Sequence, residues 1–333
     1  MATYPARTAN AALSHGSPCG PGTAIDPPAA CRHARAQMES YPPPARELVA
    51  AMRAAAHAAP ERAIAFQGAP GAYSHDAVRR FDPDALPLPC FSFEDALQAV
   101  IDGEAGRAAI PVENSLHGRV ADVHLLLPES GLAIVGECFV KVEHCLLARP
   151  GVDRSELREV ISHPQALGQC RRRLKALGLR PVAFADTAAA AAEIVARAER
   201  HVGALASALA AELYGCTVLA ANLQDADHNR TRFLLLARAP LPLPLAGPAK
   251  TTLAFEVKNI PAALFKALGG FATNGVNLSR LESHLSGGSF TAAQFLIDIE
   301  GTPDAPEVAR ALEELAFHSK WVRSLGSYPA AAD

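Results

Sequence analysis

The strongest constraint on the fold is a repeated alternation of short apolar runs with helix-like segments between Ala63 and Arg238. Each run is followed by small or polar residues and then by a stretch with helical spacing, which is typical of α/β architecture. The runs are Ala63 to Phe66, Ala108 to Ile110, Val160 to Ile161, Pro181 to Ala185 and Val202 to Ala206. We therefore expect an α/β domain over residues 61–238.

A proline-rich linker and a smaller unit follow this domain. Prolines recur through residues 239–249, which stiffens the chain and favours an extended form. Over residues 250–330, strand-like alternation and helical stripes follow in turn, at Leu253/Phe255/Val257, Leu264/Leu268/Phe271, Phe295/Ile297/Ile299 and Val308/Leu312/Leu315. The order β-α-β-β-α-β predicts a ferredoxin-like unit with both helices on one sheet face. Units of this kind commonly pair, so we expect a homodimer or homotetramer.

The first 60 residues are rich in Ala and Pro and show little apolar periodicity. This composition predicts a disordered extension, to which we assign no chemistry, although residues 45–59 could form a helix. A native start at Met38 or Met52 is the alternative, because both precede the first convincing strand.

Charge and cysteine content narrow the class of protein. The 31 Lys and Arg residues are matched by 34 Asp and Glu residues, so no basic field favours nucleic acid as a partner. The seven cysteines form no C-x-x-C pair, which argues against a zinc site or a disulfide framework and favours a reducing cytoplasm. The most apolar window, residues 201–222, contains Glu212 and two glycines, so we do not expect a membrane span.

Polar side chains recur where the predicted strands end and the helices begin. They are Ser74, Glu113-Asn114-Ser115, Ser162, Asp186-Thr187 and Ser207. Such a side chain usually caps free backbone N–H groups, and we interpret Ser207 as an ordinary cap. If several of these helix starts converged on one cleft, they would form a site for carboxylates. The pattern therefore favours a small anionic ligand.

Several common catalytic motifs are missing from the sequence. Gly68-x-x-Gly71 lacks the third glycine of a dinucleotide fingerprint, and there is no P-loop, no Gly-x-Ser-x-Gly elbow and no His-Glu-x-x-His. Neighbours in a strand point to opposite faces, so His144 and Cys145 do not predict a thiol–imidazole pair, and we expect Cys145 to be buried as core. We expect no metal site.

A set of motifs in this chain resembles the prephenate dehydratase family. The motifs are Gly68-x-x-Gly71-x-Tyr73-Ser74, Pro111 to Ser115, Glu143 to Leu146, Ser162 to Gln165, Gln169-Cys170 and Thr231-Arg232-Phe233. Residues 250–330 resemble the ACT regulatory domain found in many members. The resemblance implies a two-lobed catalytic domain similar to type II periplasmic binding proteins, with the site between the lobes. It implies conversion of prephenate to phenylpyruvate, water and carbon dioxide, in phenylalanine biosynthesis and without a cofactor.

The same resemblance implies roles for individual residues. Thr231 lies beside the leaving hydroxyl, and Arg232 pairs with a substrate carboxylate or braces the lobes. Glu113 is a candidate acid if it is buried with a raised pKa, and a structural hydrogen bond is the alternative. The implied substrate-binding residues are Asn114, Ser115, Ser162, Gln169, Thr187, Ser74 and Phe233, the last mainly through packing.

The family also binds phenylalanine between ACT domains. The resemblance carries this effector site to Pro261, Ala262, Ala263, Leu264, Asn277, Leu278, Glu282 and Ser283. Two departures bear on it, because Ala262 stands where the family has Gly and His284-Leu285 replaces Arg-Pro. Alanine tolerates a positive φ less well than glycine, and histidine lacks the fork of arginine. The strength and sign of regulation stay open.

Two other functions remain alternatives at this point. Arogenate dehydratase performs the same chemistry on the amino-acid analogue, whose ammonium group would need an acidic partner in the pocket. A non-catalytic amino-acid sensor on a binding-protein fold is the second alternative, and the intact Thr231-Arg232-Phe233 motif argues against it.

Overall fold

The computed structural model describes residues 41–285 and 293–332. The helices are α1 Pro43–Ala58, α2 Tyr73–Phe81, α3 Phe93–Ile101, α4 Ala121–Glu129, α5 Pro164–Gln169, α6 Arg171–Ala176, α7 Thr187–Ala196, α8 Ala208–Tyr214, α9 Ala263–Thr273 and α10 Pro306–His318. The strands are β1 Ala63–Gln67, β2 Leu86–Cys90, β3 Arg107–Asn114, β4 Gly118–Arg119, β5 Ala133–Lys141, β6 Cys145–Ala148, β7 Glu159–Ser162, β8 Arg180–Ala183, β9 Val202–Ala206, β10 Thr217–Ala220, β11 Arg230–Ala237, β12 Ala249–Val257, β13 Leu278–Leu285, β14 Ala293–Glu300 and β15 Ser319–Pro329.

The predicted α/β unit consists of two lobes, each built on its own sheet. The first lobe has the strand order β2-β1-β3-β11-β5, with β4 added to β3, and the second has the order β10-β6-β9-β7-β8. The apolar runs identified in the sequence form β1, β3, β7, β8 and β9. β1, β3, β7 and β9 are mostly buried, as strands covered on both faces are, whereas β8 is an edge strand and mostly exposed. The chain passes between the lobes twice, from β5 to β6 and from β10 back to β11.

The two crossings lie side by side and are joined by hydrogen bonds. The Val142 N–H donates to the Asn229 carbonyl at 2.9 Å, and the Leu223 N–H donates to the His144 carbonyl at 2.9 Å. The His144 N–H donates to Gln224 Oε1 at 3.1 Å. These bonds hold the connection between the lobes at the base of the cleft.

The C-terminal unit has the predicted β-α-β-β-α-β order. Its antiparallel sheet has the strand order β13-β14-β12-β15. One face, with Leu253, Phe255 and Ile297, packs against Phe271 of α9 and Leu315 of α10. The alternation of apolar residues along β12 and β14 therefore places both helices on that face, as expected.

The opposite face of this sheet docks on the first lobe. Ala254, Leu296 and Tyr328 belong to the same buried core as residues of β1, β3 and α3. β15 approaches β5 so closely that a Cβ on Gly326 would overlap the carbonyl oxygen of Ile134. The first lobe and the C-terminal unit thus share a core. Residues 239–248, which join them, contain neither helix nor strand.

The prediction of disorder over residues 1–60 is wrong for residues 43–58, which form α1, whereas the helix allowed over residues 45–59 is observed. Ala45 and Val49 are buried in α1, and the helix packs on β2 of the first lobe and α7 of the second. Prolines at the start of a helix are tolerated because the first N–H groups have no partner within the helix, and the alanines that follow favour it. Residues 1–40 lie outside the described residues.

Candidate active site

A cavity of about 350 Å³ lies between the two lobes. Its lining comes from both lobes and from the crossings: Gln67, Ala72, Tyr73, Ser74, Phe93, Pro111, Asn114, Val120, Val142, His144, His163, Gln165, Ala166, Gln169, Asp186, Thr187, Thr231 and Phe233. The predicted residues Asn114, Gln169, Thr187, Ser74, Thr231 and Phe233 are among them. Phe233 is also buried in the core of the first lobe, which agrees with a packing role.

The starts of two helices face this cavity. α2 begins at Tyr73 and Ser74, and α7 begins at Thr187 after its cap Asp186. Free backbone N–H groups and the helix dipole favour negative charge at such ends. The structure thus brings together helix starts that the sequence only suggested could converge.

Thr231 and Asn114 form a fixed pair on adjacent strands. They lie opposite each other in the β11–β3 pairing, and Asn114 Nδ2 donates to Thr231 Oγ1 at 3.0 Å. The same Nδ2 donates to Asn229 Oδ1 at 2.8 Å, and Asn114 Oδ1 accepts from the Leu116 N–H at 3.0 Å. Asn114 therefore orients Thr231, and the hydroxyl proton of Thr231 is left to donate elsewhere.

Arg232 does not line the cavity, so the expected pairing with a substrate carboxylate is wrong. Its buried guanidinium donates to Glu137 at 2.8 Å, to Asp298 at 2.5 Å and to the Tyr328 hydroxyl at 3.0 Å. Burial alone would lower the pKa of Arg232, but Asp298, Tyr328 and Glu137 raise it above its usual value. Consecutive strand residues point to opposite faces, so Thr231 faces the cleft and Arg232 faces the C-terminal unit.

Glu113 lies opposite Arg232 and likewise points away from the cleft. Its side chain is 42% exposed, and its carboxylate lies 3.9 Å from Arg280 of the C-terminal unit. The condition for an acid role, burial in the cleft, is therefore not met.

Ser115 and Ser162 are also absent from the lining, which corrects their predicted role. The Ser115 hydroxyl donates to the His228 carbonyl at 2.7 Å, and the buried Ser162 hydroxyl donates to the Leu205 carbonyl at 2.6 Å. Both side chains satisfy backbone groups, Ser115 on the exposed turn at His228 and Ser162 inside the sheet at Leu205 of β9. Ser207 accepts from the Ala210 N–H at 3.0 Å, which confirms its interpretation as a helix cap.

The sequence analysis missed a buried chain of side chains in the cleft. The Tyr73 hydroxyl lies 2.8 Å from the Glu143 carbonyl and 2.9 Å from His144 Nδ1, and His144 Nε2 lies 2.7 Å from Gln169 Oε1. Burial lowers the pKa of His144, against the hydrogen bond with Gln169, and raises the pKa of Tyr73. Both side chains are therefore neutral near pH 7. Both belong to motifs already identified, and Cys145 is buried as expected.

Asp186 is a further cleft residue that the sequence analysis assigned only to a helix start. Its Oδ1 accepts from the Ala189 N–H at 2.8 Å and so caps α7. Burial raises the pKa of its carboxyl group, against the hydrogen bonds from Ala189 and Ala188.

The predicted effector residues lie at two ends of the C-terminal sheet. Leu278 pairs with Ile299, which pairs with Thr251, so Asn277 and Leu278 are level with the start of β12. The loop 261–264 follows the other end of β12, roughly 20 Å away at the usual rise of a strand. Within one chain these two segments do not meet.

The other effector predictions have mixed outcomes. Ala262 has φ +60°, in the left-handed region that glycine prefers. Glu282 does not point to the loop 261–264; its carboxylate lies 3.0 Å from His124 of the first lobe and 3.1 Å from Arg280. The Ser283 carbonyl accepts from Arg119 at 3.3 Å. The side chains of His284 and Leu285 lie outside the described part of the chain.

Two lobes that enclose a cleft lined by polar and apolar side chains and are joined by two crossings define the class of α/β proteins built like type II periplasmic binding proteins. A family model described as prephenate dehydratase matches residues 64–241, from β1 to just beyond β11. The chain belongs to the prephenate dehydratase family, whose members are lyases that dehydrate and decarboxylate prephenate.

Individual relatives agree with this assignment. The chain is 53% identical, over 81% of its length and 96% of the relative's, to a bifunctional N-acyl-homoserine lactone acylase/prephenate dehydratase of Komagataeibacter europaeus. It is 39% identical to a chloroplastic arogenate dehydratase/prephenate dehydratase of Arabidopsis thaliana, over 80% of this chain and 71% of that one. A crystal structure of prephenate dehydratase from Arthrobacter aurescens in complex with L-Phe superposes with a TM-score of 0.74, at 33% identity, over 81% of this chain and 90% of that one.

Proposed function

We propose that the interlobe cavity converts prephenate to phenylpyruvate, with Thr231 beside the departing hydroxyl. The observation that carries this proposal is the pairing of Thr231 with Asn114 in a cavity that also receives the starts of α2 and α7. The reaction removes a ring hydroxyl and a ring carboxylate together, and the ring becomes aromatic. The enzyme must stabilise the departing hydroxyl and hold both carboxylates in position.

Thr231 supplies a hydrogen bond rather than a proton. A threonine hydroxyl is a weak acid, and Asn114 already donates to its oxygen. The proton of Thr231 is therefore directed to an acceptor in the cavity, where it stabilises charge that develops on the leaving oxygen. The proton that completes the water comes from another group or from solvent. His144 and His163 are the histidines among the described residues of the cavity lining.

The carboxylates of prephenate are held by helix starts rather than by a guanidinium. No Arg or Lys is found among the described residues that line the cavity. At the start of α2, the N–H groups of Tyr73 and Ser74 and the Ser74 hydroxyl provide donors for anions. At the start of α7, the Asp186 carboxyl already accepts from the Ala189 and Ala188 N–H groups, so the Thr187 hydroxyl is the donor there. The apolar lining, including Phe93 and Phe233, suits the ring and the release of carbon dioxide.

Turnover of the purified full-length chain on prephenate, followed by formation of phenylpyruvate, tests this proposal. We expect Thr231→Ala to lower kcat by about 100- to 1,000-fold, the usual cost of one lost transition-state hydrogen bond. Thr231→Ser keeps the hydroxyl and retains most activity. Thr217→Ala, at an exposed position of β10, is the matched control with unchanged kinetics. A Thr231→Ala protein with wild-type kcat would contradict the assignment.

Two further substrates belong in the same assay. Arogenate carries an ammonium group, and Asp186 places a carboxyl in the cavity that could accept from it. The relative from Komagataeibacter europaeus, 53% identical, is also described as an N-acyl-homoserine lactone acylase, so acyl-chain release is the second candidate activity. If Thr231→Ala abolishes turnover of prephenate but not of the other two substrates, the Thr231–Asn114 pair acts on prephenate. If the variant instead loses turnover of arogenate or of the lactone, that compound is the substrate of the cavity.

Phenylalanine is the proposed effector, bound where two C-terminal units meet. The loop 261–264 and residues Asn277 and Leu278 are at opposite ends of one sheet, so a second copy must complete a site that contains both. Phe265 and Phe317 are 79% and 73% exposed on the helices of this unit, which suits an interface between copies. The relative from Arthrobacter aurescens is described in complex with L-Phe. We assign the chain to a homodimer or homotetramer on this basis.

The cytoplasm is the proposed location. The five cysteines in the described part of the chain are all free thiols, as a reducing compartment would keep them. No helix within residues 41–285 and 293–332 is long and apolar enough to cross a membrane.

A further inference from the structure

A buried charged cluster joins the first lobe to the C-terminal unit directly behind the cleft. We call it the interdomain cluster, and its members are Arg232, Glu137, Thr252, Asp298 and Tyr328. All five residues are less than 10% exposed. Arg232 and Glu137 come from the first lobe, and the other three come from the C-terminal unit.

The interdomain cluster is fully connected by hydrogen bonds. Arg232 donates to both carboxylates and to Tyr328, as described above, and Thr252 Oγ1 donates to Asp298 Oδ1 at 2.6 Å. The hydroxyls of Thr252 and Tyr328 lie 2.8 Å apart. Lys250 Nζ donates to the second oxygen of Glu137 at 2.8 Å. Both carboxylates of the cluster are therefore paired with positive side chains, Glu137 with Arg232 and Lys250, and Asp298 with Arg232.

Such a cluster is better suited to fixing geometry than to adding stability. Buried ion pairs lose most of their attraction to desolvation, so apolar packing would stabilise the interface as well or better. The planar guanidinium of Arg232, however, accepts partners only along fixed directions. Its three partners on two domains therefore fix the position of this side chain.

The strand pairing is irregular beside Arg232. In the pairing of β11 with β3, Arg232 lies opposite Glu113 and Phe233 lies opposite Pro111, so Val112 is an extra residue of β3. A bulge of this kind interrupts the ladder and bends the strand that carries the extra residue, so regular pairing does not alone fix how β11 and β3 are aligned here. Thr231 and Arg232 share one peptide unit, so a contact that holds Arg232 also constrains the direction of Thr231.

The neighbouring strand is held from the same side. Arg280 of β13 lies 3.9 Å from Glu113, the residue that precedes Asn114, and 3.9 Å from Asp298. Both members of the Thr231–Asn114 pair thus have an adjacent residue that faces charged groups of the C-terminal unit.

We propose that Arg232 is a positioning residue for Thr231 and that Asp298 of the C-terminal unit holds it in place. Turnover then depends on how the C-terminal unit is seated on the first lobe, within a single chain. A shift of the C-terminal unit on the first lobe would move the Arg232 side chain and, through the peptide unit that joins Arg232 to Thr231, would change the orientation of Thr231 in the cleft. This inference rests on the role of Thr231 proposed above.

A double-mutant cycle in the full-length chain tests the inference. Asp298→Asn keeps the shape of the side chain and removes its charge. We expect kcat on prephenate to fall about 10- to 100-fold while KM changes less than about threefold, because only the orientation of the reacting group is lost. In the Thr231→Ala background, Asp298→Asn should cause no further loss, since the group it positions is gone.

The controls separate positioning from folding. Glu256→Gln removes a carboxylate of the same sheet whose partners, Lys320 and Trp321 of β15 and Gln294 of β14, all belong to the C-terminal unit, and its kcat should equal that of the wild type. Thermal unfolding of each variant shows that it is folded. If Asp298→Asn does not fold, Tyr328→Phe replaces it in the cycle, with a smaller loss of about threefold to 10-fold.

Three results would overturn the inference. The losses of Asp298→Asn and Thr231→Ala could multiply, which would mean that Asp298 acts only on stability or by another route. Asp298→Asn could turn over prephenate at the wild-type rate. Thr231→Ala alone could have wild-type kcat, in which case the proposed function of the cleft fails first and the positioning role fails with it.

Discussion

At the scale of single residues, the sequence motifs contain side chains that face the cleft and side chains that face the C-terminal unit. The sequence alone does not distinguish the two. Thr231 and Arg232 are adjacent, as are Asn114 and Glu113, yet one member of each pair faces the cleft and the other faces the C-terminal unit. The period of two along a strand predicts that such neighbours diverge. It does not say which of the two faces the substrate, because that depends on what covers each sheet face.

His75 illustrates how a residue beside the cleft can shape stability rather than catalysis. Its ring stacks on Phe66 with centroids 5.2 Å apart, and its Nδ1 accepts from the Gly71 N–H at 3.2 Å. Burial lowers the pKa of His75 to about 4, with a smaller effect from Arg79. The imidazole is therefore neutral in the folded protein at neutral pH.

The lowered pKa of His75 predicts a pH dependence of the free energy of unfolding. The unfolded chain takes up a proton near pH 6.5 and the folded chain only near pH 4, so stability falls as the pH drops through this window. The loss is about 2–3 kcal/mol between pH 7.5 and 4.5. We expect His75→Asn, which keeps an acceptor for Gly71, to remove this part of the dependence in urea unfolding.

The comparison with the wild type isolates His75 from its neighbours. Burial raises the pKa of Asp76 to about 6, which acts in the opposite direction, but Asp76 is present in both proteins and cancels in the difference. An equal pH dependence in His75→Asn and the wild type would refute the assignment.

At the scale of elements, local composition identified the strands with apolar runs and allowed a helix over residues 45–59, but it did not place the start of α1. Two of the three consecutive prolines at 42–44 occupy the first turn of this helix, which bridges both lobes. The strand periodicity of β12 and β14 was sufficient to place the helices of the C-terminal unit, because alternation directly reports which sheet face is covered.

The start of α9 carries backbone strain that a single substitution can test. Ala262 caps this helix with φ +60°, a conformation that costs a non-glycine residue about 1–2 kcal/mol. Glycine adopts it freely but loses more entropy on folding, so we expect Ala262→Gly to raise the free energy of unfolding by about 0.5–1 kcal/mol. Chemical denaturation of the full-length chain measures this difference.

The matched control is an alanine-to-glycine substitution at a residue that already has the φ of a right-handed helix. Ala309→Gly, inside α10, should lower the free energy of unfolding by about 1 kcal/mol. If both variants were destabilised equally, the left-handed conformation of Ala262 would be wrong.

At the scale of the whole molecule, the C-terminal unit is part of one core with the first lobe rather than a separate appendage. Its sheet covers the first lobe with Ala254 and Leu296, and β15 lies against β5 at Gly326. The interdomain cluster lies inside this interface. The packing that positions the C-terminal unit on the first lobe is consequently expected to determine the orientation of Thr231 in the cleft as well.

Gly326 provides the test of that packing. A methyl group there would overlap the Ile134 carbonyl, a backbone atom that cannot rotate away, and Gly326 also has φ +141°. We expect Gly326→Ala to lower the free energy of unfolding by more than about 2 kcal/mol and to lower kcat with it. Gly269→Ala in α9, where a Cβ meets nothing within 4 Å, is the control and should be neutral or stabilising. Differential scanning calorimetry and turnover on the same samples check both.

The sequence by itself determined the fold class, the division into an α/β unit and a β-α-β-β-α-β unit, and the family, because periodicity, helix caps and motifs are local properties of the chain. Only the tertiary structure decided which polar residues share the cleft. It directed Ser115 and Ser162 to backbone carbonyls outside the cavity, brought His144 and Asp186 to the cavity, and directed Arg232 to Asp298. These outcomes depend on which sheet faces are covered by the other lobe and by the C-terminal unit. Such contacts join residues far apart in the chain, and no local pattern encodes them.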